Sequence, residues 1–453
     1  MLSRRPRLSF LLLPLLVATS ACSSGSSGGN GGGAPSPQLI TDVRTALTNE
    51  GVGPLPAPPV VRDELFELGQ ALFFDKLLSG NLDVSCSTCH LPGEGGSDGR
   101  TLPSGVDGFG LGPLRGGGEV IPRNSPTTLN VHLFDELFWD GRVQVGMGGG
   151  IENPAGAALT PAMQAVFEPG LEIMAAQAMF PPTSRDEMRG KVGENELGDL
   201  ADGDFAAIWE GLTDRLVMNP TYVGLFAAAY PGVDPMDLTF AHAANAIAGF
   251  EARAFGVFDS PFERFVNGDD AALTQAQLEG ALEFYGRGNC AVCHSGNTFS
   301  DGRFHNIALP QFGPGKGSGV GGDDDFGREL VTGAAGDRYA FRTTPLLNVE
   351  LTAPYGHAGQ YATLRGIVEH YRDAEFFLQN YDVALQVDDP ALIPTLVANE
   401  ADVLANISPR LVNPRNFDID AIVTFLEALT ADGARDLSAV VPASVPSGLS
   451  IDG

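Results

Sequence analysis

The cysteines of this chain are few, and their spacing relative to histidine is distinctive. Of five cysteines in 453 residues, one is Cys22, and the other four form two pairs, each followed at once by a histidine. The members of the two motifs are Cys86, Cys89 and His90, then Cys290, Cys293 and His294. Two thiols at this spacing can form thioethers with the two vinyl groups of one haem, while the adjacent imidazole binds its iron. The motifs therefore predict two covalently bound haem c groups.

A redox disulfide or half of a zinc site is the alternative for a single motif. Zinc would bring the two cysteine pairs together and would not require a histidine after each pair. Two copies that use every cysteine after Cys22 favour haem.

The surroundings of the two motifs repeat as well. Ser-Asp-Gly-Arg follows each motif, at residues 97–100 and 300–303. Leu-Asn-Val comes later in each half, at residues 129–131 and 347–349. Such a repeat at long spacing indicates one haem domain that occurs twice, with different insertions.

Helices must position these motifs, and the apolar pattern predicts them. Residues at helical spacing predict helices over 61–74 and 275–285, the second capped by Thr274, and a late amphipathic helix over 419–429. The Gly- and Pro-rich stretches between them read as long loops. The predicted fold is mainly α, with two cytochrome c-like haem domains in tandem. The predicted ranges are an N-terminal haem domain over 56–270, a C-terminal haem domain over 271–431 and a loose tail over 432–453.

The first residues are typical of an export signal. Three arginines precede a short apolar run, and small residues then lead to Cys22. The apolar run is too short to cross a bilayer as a permanent helix. Residues 1–22 are predicted to be a lipoprotein-type signal peptide with lipidation at Cys22, and plain cleavage near Ala21 is the alternative. Residues 23–55 are predicted to be a flexible Gly/Ser/Pro-rich tether, so the protein is expected to be periplasmic and lipid-anchored.

The charge of the chain bears on its partners. Acidic residues number 56 against 27 basic residues, which gives a formal net charge of −29. Phosphate binding needs clustered Lys and Arg, so nucleic acid is not an expected partner. A solvated acidic surface is the common meaning of such a balance, and a cationic protein partner is the alternative.

Several further motifs occur in a characteristic order. They are Leu-Gly-Gln-Ala-Leu-Phe-Phe-Asp at 68–75, Pro-Arg-Asn-Ser-Pro-Thr at 122–127, Leu-Phe-Trp-Asp-Gly-Arg at 137–142 and Leu-Thr-Ala-Pro-Tyr-Gly-His at 351–357. Together with the two haem motifs, the chain resembles the bacterial di-haem cytochrome c peroxidase and MauG family. The resemblance spans about residues 65–430.

The resemblance implies roles for residues at the two haems. In that family the N-terminal haem meets peroxide and the C-terminal haem relays electrons. His90 is then the proximal ligand of the peroxidatic haem, and His294 that of the relay haem. Trp139 matches the tryptophan between the haems, although a buried aromatic beside a turn is the simpler interpretation of that residue alone.

The resemblance also implies residues for proton transfer. Residues 181–188 resemble the segment with the distal glutamate, which corresponds to Glu187, and Gln177 matches a nearby glutamine. Cleavage of the O–O bond needs such a group to move a proton between the peroxide oxygens. The alternative for Glu187 is a solvated carboxylate at the start of a helix.

One calcium ion is implied by the same resemblance. Asn124 matches the side-chain ligand, and Thr352 and Pro354 match backbone carbonyl donors. Oxygen donors suit Ca²⁺. The acidic run at residues 323–325 is instead expected to be solvated.

Two departures from the family pattern concern the remaining iron ligands. Residues 91–131 contain no histidine, so the first haem is expected to be open or water-bound, with His132 as the alternative ligand. No methionine follows the second haem motif, and Tyr371 stands where many members have a methionine ligand. MauG-type proteins have a tyrosine ligand there, and His370 is the alternative.

Three functions follow from these residues. The first is a di-haem peroxidase that reduces hydrogen peroxide with electrons from a small periplasmic cytochrome c or cupredoxin. The second is a MauG-like enzyme that oxidises Trp or Tyr residues of a partner protein. The third is a non-enzymatic electron-transfer cytochrome, against which the missing distal histidine argues.

Overall fold

The computed structural model describes residues 34–453. The predicted signal peptide and Cys22 lie outside the described residues, so neither is tested. Within residues 34–453 no helix has the length and apolar character needed to cross a membrane.

Helices dominate the described residues, as the sequence predicts, and strands are short. The helices are α1 (Pro37–Asn49), α2 (Asp63–Phe74), α3 (Cys86–Cys89), α4 (Pro161–Gln164), α5 (Glu172–Ala178), α6 (Phe205–Val217), α7 (Pro220–Ala229), α8 (Phe240–Ala254), α9 (Pro261–Val266), α10 (Gln275–Tyr285), α11 (Glu329–Thr332), α12 (Leu364–His370), α13 (Ala374–Gln379), α14 (Val383–Gln386), α15 (Glu400–Ala405) and α16 (Ile419–Glu427). The strands are β1 (Glu136–Leu137), β2 (Val143–Val145), β3 (Ile151–Glu152), β4 (Phe304–His305) and β5 (Phe341–Arg342). The first three form one antiparallel sheet in the order β1-β2-β3, and β4 pairs antiparallel with β5.

The first core is formed by buried apolar residues from 61–257 and 431–445. Its centre is the helix pair α2 and α8, because the apolar face of α2 packs along α8. The two helices touch closely at Gly69, where a Cβ atom would lie 1.9 Å from the carbonyl oxygen of Ala246. Only glycine permits this approach. Helix α3, which contains the first cysteine pair, packs against α2.

The second core contains residues from 43–47 and 262–429, and it repeats the arrangement of the first. Helix α10, capped by Thr274, packs along α16. At Gly280 a Cβ atom would lie 2.1 Å from the carbonyl oxygen of Ala421, so this pair also needs a glycine at its crossing. The sequence repeat therefore corresponds to a repeated helix pair, in which the first helix, α2 or α10, precedes the Cys-x-x-Cys-His motif and the second, α8 or α16, follows it.

The predicted flexible tether over 23–55 is wrong for part of its length. Helix α1 lies inside it, with Ser36 accepting a hydrogen bond from the amide of Leu39 at its N-terminus. Val43 and Leu47 are buried in the second core. Burial of this apolar face supplies the free energy that a solvated tether would lack.

The boundary between the two cores lies earlier than residue 270. Phe262 and Phe265, on α9, pack in the second core, although the sequence assigns them to the first domain. Helix α9 is a separate element, because Ser260 and Glu263 form a capping box at its N-terminus. The change of core therefore falls between Val257 and Phe262.

The tail over 432–453 is not loose, contrary to the prediction. Leu437 and Val445 are buried in the first core, so the chain returns from the second core to the first. Asp452 accepts a hydrogen bond of 2.6 Å from the hydroxyl of Thr88, inside the first Cys-x-x-Cys-His motif. Asp452 also forms a buried ion pair of 2.7 Å with Lys76. The tail thus holds the segment that contains the first motif.

Replacing Asp452 by alanine is expected to lower the free energy of unfolding by about 3 kcal/mol, because the change leaves Lys76 buried without its partner and Thr88 without its acceptor. Calorimetric Tm values of the haem-loaded protein measure this. The exposed Asp388 provides the matched control, Asp388→Ala, which is expected to change little. Equal Tm values for the two variants would show that the contacts of Asp452 contribute no stability.

Candidate active site

The first motif lines a cavity beside the first core. Cys86, Cys89 and His90 all face it, and both thiols are free. The Nδ1 atom of His90 lies 3.0 Å from the carbonyl oxygen of Gly96, so this nitrogen is the hydrogen-bond donor and Nε2 is left to bind a metal. Burial lowers the pKa of His90, which keeps the imidazole neutral.

The second motif lines its own cavity in the same way. Cys290, Cys293 and His294 face it among largely apolar walls, and both thiols are free. The Nδ1 atom of His294 lies 2.9 Å from the carbonyl oxygen of Phe299. Two free thiols and one free imidazole nitrogen on the wall of one cavity are the donor set that a covalently attached haem requires, so both cavities fit the group.

Trp139 lines both cavities. Its indole Nε1 donates a hydrogen bond of 2.8 Å to the carbonyl oxygen of Asn124. Its own carbonyl oxygen accepts a 2.8 Å bond from the amide of Arg342 on β5. Residues from both halves of the sequence therefore fix the ring at the wall that the cavities share.

Glu187 and Gln177 line the first cavity together with His90. Gln177 lies on α5, and Glu187 lies in a π-helical turn formed by Arg185–Arg189. Burial raises the pKa of Glu187 above its usual value, while Arg142 and Lys316 act in the opposite direction. A buried carboxyl group with a raised pKa can act as a general acid and base, accepting a proton and returning it.

Sequence reasoning missed Lys316, which also lines the first cavity. It lies in the loop between β4 and β5, more than 120 positions beyond Glu187. No local pattern relates this lysine to the first motif.

His132 does not line the first cavity. Its ring packs against Phe258 with the centroids 5.6 Å apart, and within residues 34–453 neither ring nitrogen has a hydrogen-bond partner. Burial lowers its pKa to about 4. The alternative that His132 binds the first iron is therefore not supported, and His90 is the one histidine of the described chain on this cavity wall.

Tyr371 lines the second cavity with Cys293 and His294. It follows the last residue of α12, and its hydroxyl makes no hydrogen bond to any other residue of the described chain. His370 is engaged elsewhere, since its Nε2 lies 2.7 Å from the carbonyl oxygen of Ile307 and its Nδ1 lies 2.9 Å from the Tyr361 hydroxyl. With both nitrogens occupied, His370 is wrong as the alternative ligand.

The three residues matched to a calcium site also meet at the second cavity. The side-chain nitrogen of Asn124 donates to the carbonyl oxygens of Arg100 at 2.8 Å and Thr101 at 3.3 Å. This leaves its Oδ1 as an acceptor without a hydrogen-bond donor among the described residues. A carboxamide oxygen with nearby carbonyls fits a hard cation such as Ca²⁺.

The acidic run at residues 323–325 is mostly buried, contrary to the prediction of a solvated loop. Asp325 accepts two hydrogen bonds from Arg123, at 2.7 and 2.9 Å. Arg123 also pairs with Asp140 at 2.5 Å. Two carboxylates compensate one buried guanidinium, and they connect a loop of the second half to the wall of the first cavity.

A helical chain with two Cys-x-x-Cys-His cavities and a tryptophan at their common wall has the architecture of a two-centre redox protein. The family model described as di-haem cytochrome c peroxidase matches residues 63–271. Methylamine utilization protein MauG of Methylorubrum extorquens is 31% identical over 318 residues, which cover 70% of this chain and 71% of that protein. Cytochrome c551 peroxidase of Pseudomonas aeruginosa is 32% identical over 310 residues, which cover 68% of this chain and 71% of that protein.

Among solved structures, the fold is similar to that of a MauG-like protein associated with microbial copper homeostasis. The TM-score is 0.59 at 26% sequence identity, and the match covers 86% of this chain and 96% of the other. The chain belongs to the di-haem cytochrome c peroxidase and MauG family. The resemblance drawn from the sequence is therefore confirmed.

Proposed function

We propose that this protein is a di-haem c peroxidase that reduces hydrogen peroxide to water with electrons from a small cytochrome c or a cupredoxin. The observation that carries the proposal is the first cavity, which is lined by one histidine, His90, together with the carboxyl group of Glu187 and the carboxamide of Gln177. A haem held in this cavity would supply the iron that peroxide binds, and Glu187 with Gln177 would supply the polar groups that peroxide needs.

The haems are attached through Cys86 and Cys89 in the first cavity and through Cys290 and Cys293 in the second. His90 and His294 would bind the haem irons, and Tyr371 would be a further iron ligand in the second cavity. Bound haem supplies the iron that binds peroxide and the redox chemistry that splits its O–O bond.

The side chains of the first cavity handle the protons. Glu187 accepts a proton from one peroxide oxygen and returns it to the other, while the Gln177 amide orients the peroxide by hydrogen bonding. Trp139 conducts electrons across the wall between the two centres. In total, one hydrogen peroxide, two electrons and two protons give two water molecules.

One Ca²⁺ ion is part of the proposal. Asn124 Oδ1 and the backbone carbonyls of Thr352 and Pro354 bind it. Since the carbonyl of Asn124 accepts the indole hydrogen bond of Trp139, the ion would fix the segment that holds this ring.

A MauG-like activity is the second candidate, in which Trp or Tyr residues of a partner protein are oxidised. The position of Tyr371 on the second cavity and the single histidine on the first favour it. A non-enzymatic electron-transfer cytochrome is the third candidate. It would require a second protein ligand for the first iron, and no second histidine lines the first cavity.

Export and lipid anchoring through Cys22 remain predictions from the sequence. They place the enzyme in the periplasm, where small redox proteins are available. The net charge of −29 continues to argue against nucleic acid as a partner.

The function is tested by mixing the resting, fully oxidised protein with peroxide and a reduced small cytochrome c in a stopped-flow instrument. Rapid oxidation of the cytochrome without prior reduction of the enzyme is expected. A long-lived oxidised spectrum without donor turnover would instead favour the MauG-like activity. If peroxide changes neither haem spectrum, both enzymatic functions are wrong.

A further inference from the structure

Lys316 lines the first cavity, but it has no role in the peroxide chemistry proposed above. The chain contains three lysines, Lys76, Lys191 and Lys316. Lys76 pairs with Asp452, and Lys191 pairs with Glu119. Lys316 forms no ion pair within the described residues, and it lines the first cavity with Glu187.

The loop that contains Lys316 is held at its base. The amide of Lys316 donates a 2.9 Å hydrogen bond to the carbonyl oxygen of Asp324. The carboxylate of Asp324 in turn accepts bonds from the Tyr339 hydroxyl at 2.8 Å and the Asn399 amide at 3.0 Å. The next residue, Asp325, is bound by Arg123. The backbone of Lys316 is therefore fixed relative to both halves of the molecule.

The other cations near Glu187 already have partners. Arg123 binds Asp140 and Asp325. Arg142 binds Asp140 at 3.2 Å, and its guanidinium lies 3.5 Å above the centroid of the Phe138 ring. Two cations of this cavity wall, among the described residues, form no ion pair: Lys316 and Arg342. Arg342 donates to the backbone carbonyl oxygen of Glu136, and Lys316 is the one of the two whose charge acts on Glu187.

The remaining groups that face Glu187 do not replace this charge. Asp186, on the same turn, repels a carboxylate at Glu187. Cys89, on α3, is one of the two cysteines that would attach the haem, and as a thioether it carries no charge. Burial lowers the pKa of Lys316, and Glu187 and Asp325 oppose this.

We propose that Lys316 is a positioning residue of the peroxide site, and that its ammonium group holds Glu187 in the ionised form that accepts the peroxide proton. The second half of the sequence thus completes the proton-transfer site of the first. This inference rests on the proposed role of Glu187.

The test is the pH dependence of the reaction rate with peroxide for Lys316→Met in the haem-loaded protein. Loss of the ammonium removes a favourable charge from ionised Glu187, so the acid limb of the profile moves to higher pH. A shift of about one unit lowers the rate about tenfold at acid pH, and it leaves the alkaline plateau unchanged. Lys316→Arg is expected to return the acid limb to its wild-type pH. Lys191→Met, a change at the surface, is expected to leave the acid limb at its wild-type pH.

The outcomes separate this inference from the proposed function. If Glu187→Gln leaves the rate unchanged, the proposed role of Glu187 fails and the inference fails with it. If Glu187→Gln slows the reaction but Lys316→Met leaves the acid limb in place, only the role of Lys316 is overturned. Haem content and resting absorption spectra, equal in all variants, establish that the sites are intact.

Discussion

Replacing Glu187 by glutamine is expected to slow the reaction with hydrogen peroxide by about 10²- to 10⁴-fold, the usual contribution of a positioned general acid-base group. Glutamine keeps the size of the side chain and its hydrogen bonding but cannot accept a proton. The measurement is the second-order rate of the spectral change after stopped-flow mixing with peroxide. Both haems are expected to stay attached, since Glu187 belongs to neither cysteine motif.

A matched control separates this effect from a general loss of a carboxylate. Glu210 is exposed on α6, so Glu210→Gln is expected to leave the rate unchanged. Equal rates for the wild type and Glu187→Gln would show that the proton is moved by another group or by water.

The pH profile gives a second signature of the same residue. Burial raises the pKa of Glu187, and the base works only when it has lost its proton. The wild-type rate is therefore expected to be low at pH values below this raised pKa and to increase as the pH rises through it. In Glu187→Gln the remaining slow reaction is expected to lose this limb.

The sequence predicts well those features that depend on residues close together along the chain. The two cysteine motifs, the capping box of Thr274 and the apolar faces of α2 and α10 are set by residues within a few positions of one another. The repeat is visible in the sequence as short motifs, and in the fold each half has a glycine, Gly69 or Gly280, where its two helices cross.

Long-range packing is what the sequence leaves open. Helix α1 was hidden in a Gly/Ser-rich segment, although Ser36 followed by proline and the spacing of Val43 and Leu47 are a usable helix signal. The tail joins the first core only through tertiary contacts, because its few apolar residues have no helical period. Lys316 lies on the same cavity wall as Glu187 through loop geometry that no spacing rule describes.

The same limit applies to the acidic run at residues 323–325. Three consecutive aspartates in a Gly-rich loop are usually solvated, and the deciding partner, Arg123, lies about 200 positions earlier. Once Arg123 and Asp325 meet, burial of both charges is compensated. The ion pair then connects the loop of Lys316 with the wall of the first cavity, a contact that no local sequence pattern indicates.

Replacing Tyr371 by phenylalanine is expected to change the optical and magnetic spectra of one haem only. The change removes one oxygen atom from the wall of the second cavity, and this oxygen has no other partner within residues 34–453. A phenolate ligand stabilises oxidised iron, so its loss is expected to raise the reduction potential of that haem by on the order of 0.1 V or more. Spectroelectrochemical titration of both haems measures the shift.

Tyr361→Phe is the matched control for Tyr371→Phe. Tyr361 is also a buried tyrosine of the second core, but its hydroxyl bonds His370 and it does not line the cavity. It is expected to leave both spectra unchanged. If Tyr371→Phe behaves in the same way, Tyr371 is not an iron ligand and the argument for MauG-like chemistry loses its main support. If the potential rises while peroxide turnover with a reduced cytochrome c improves, the tyrosine ligand is what limits electron delivery in this enzyme.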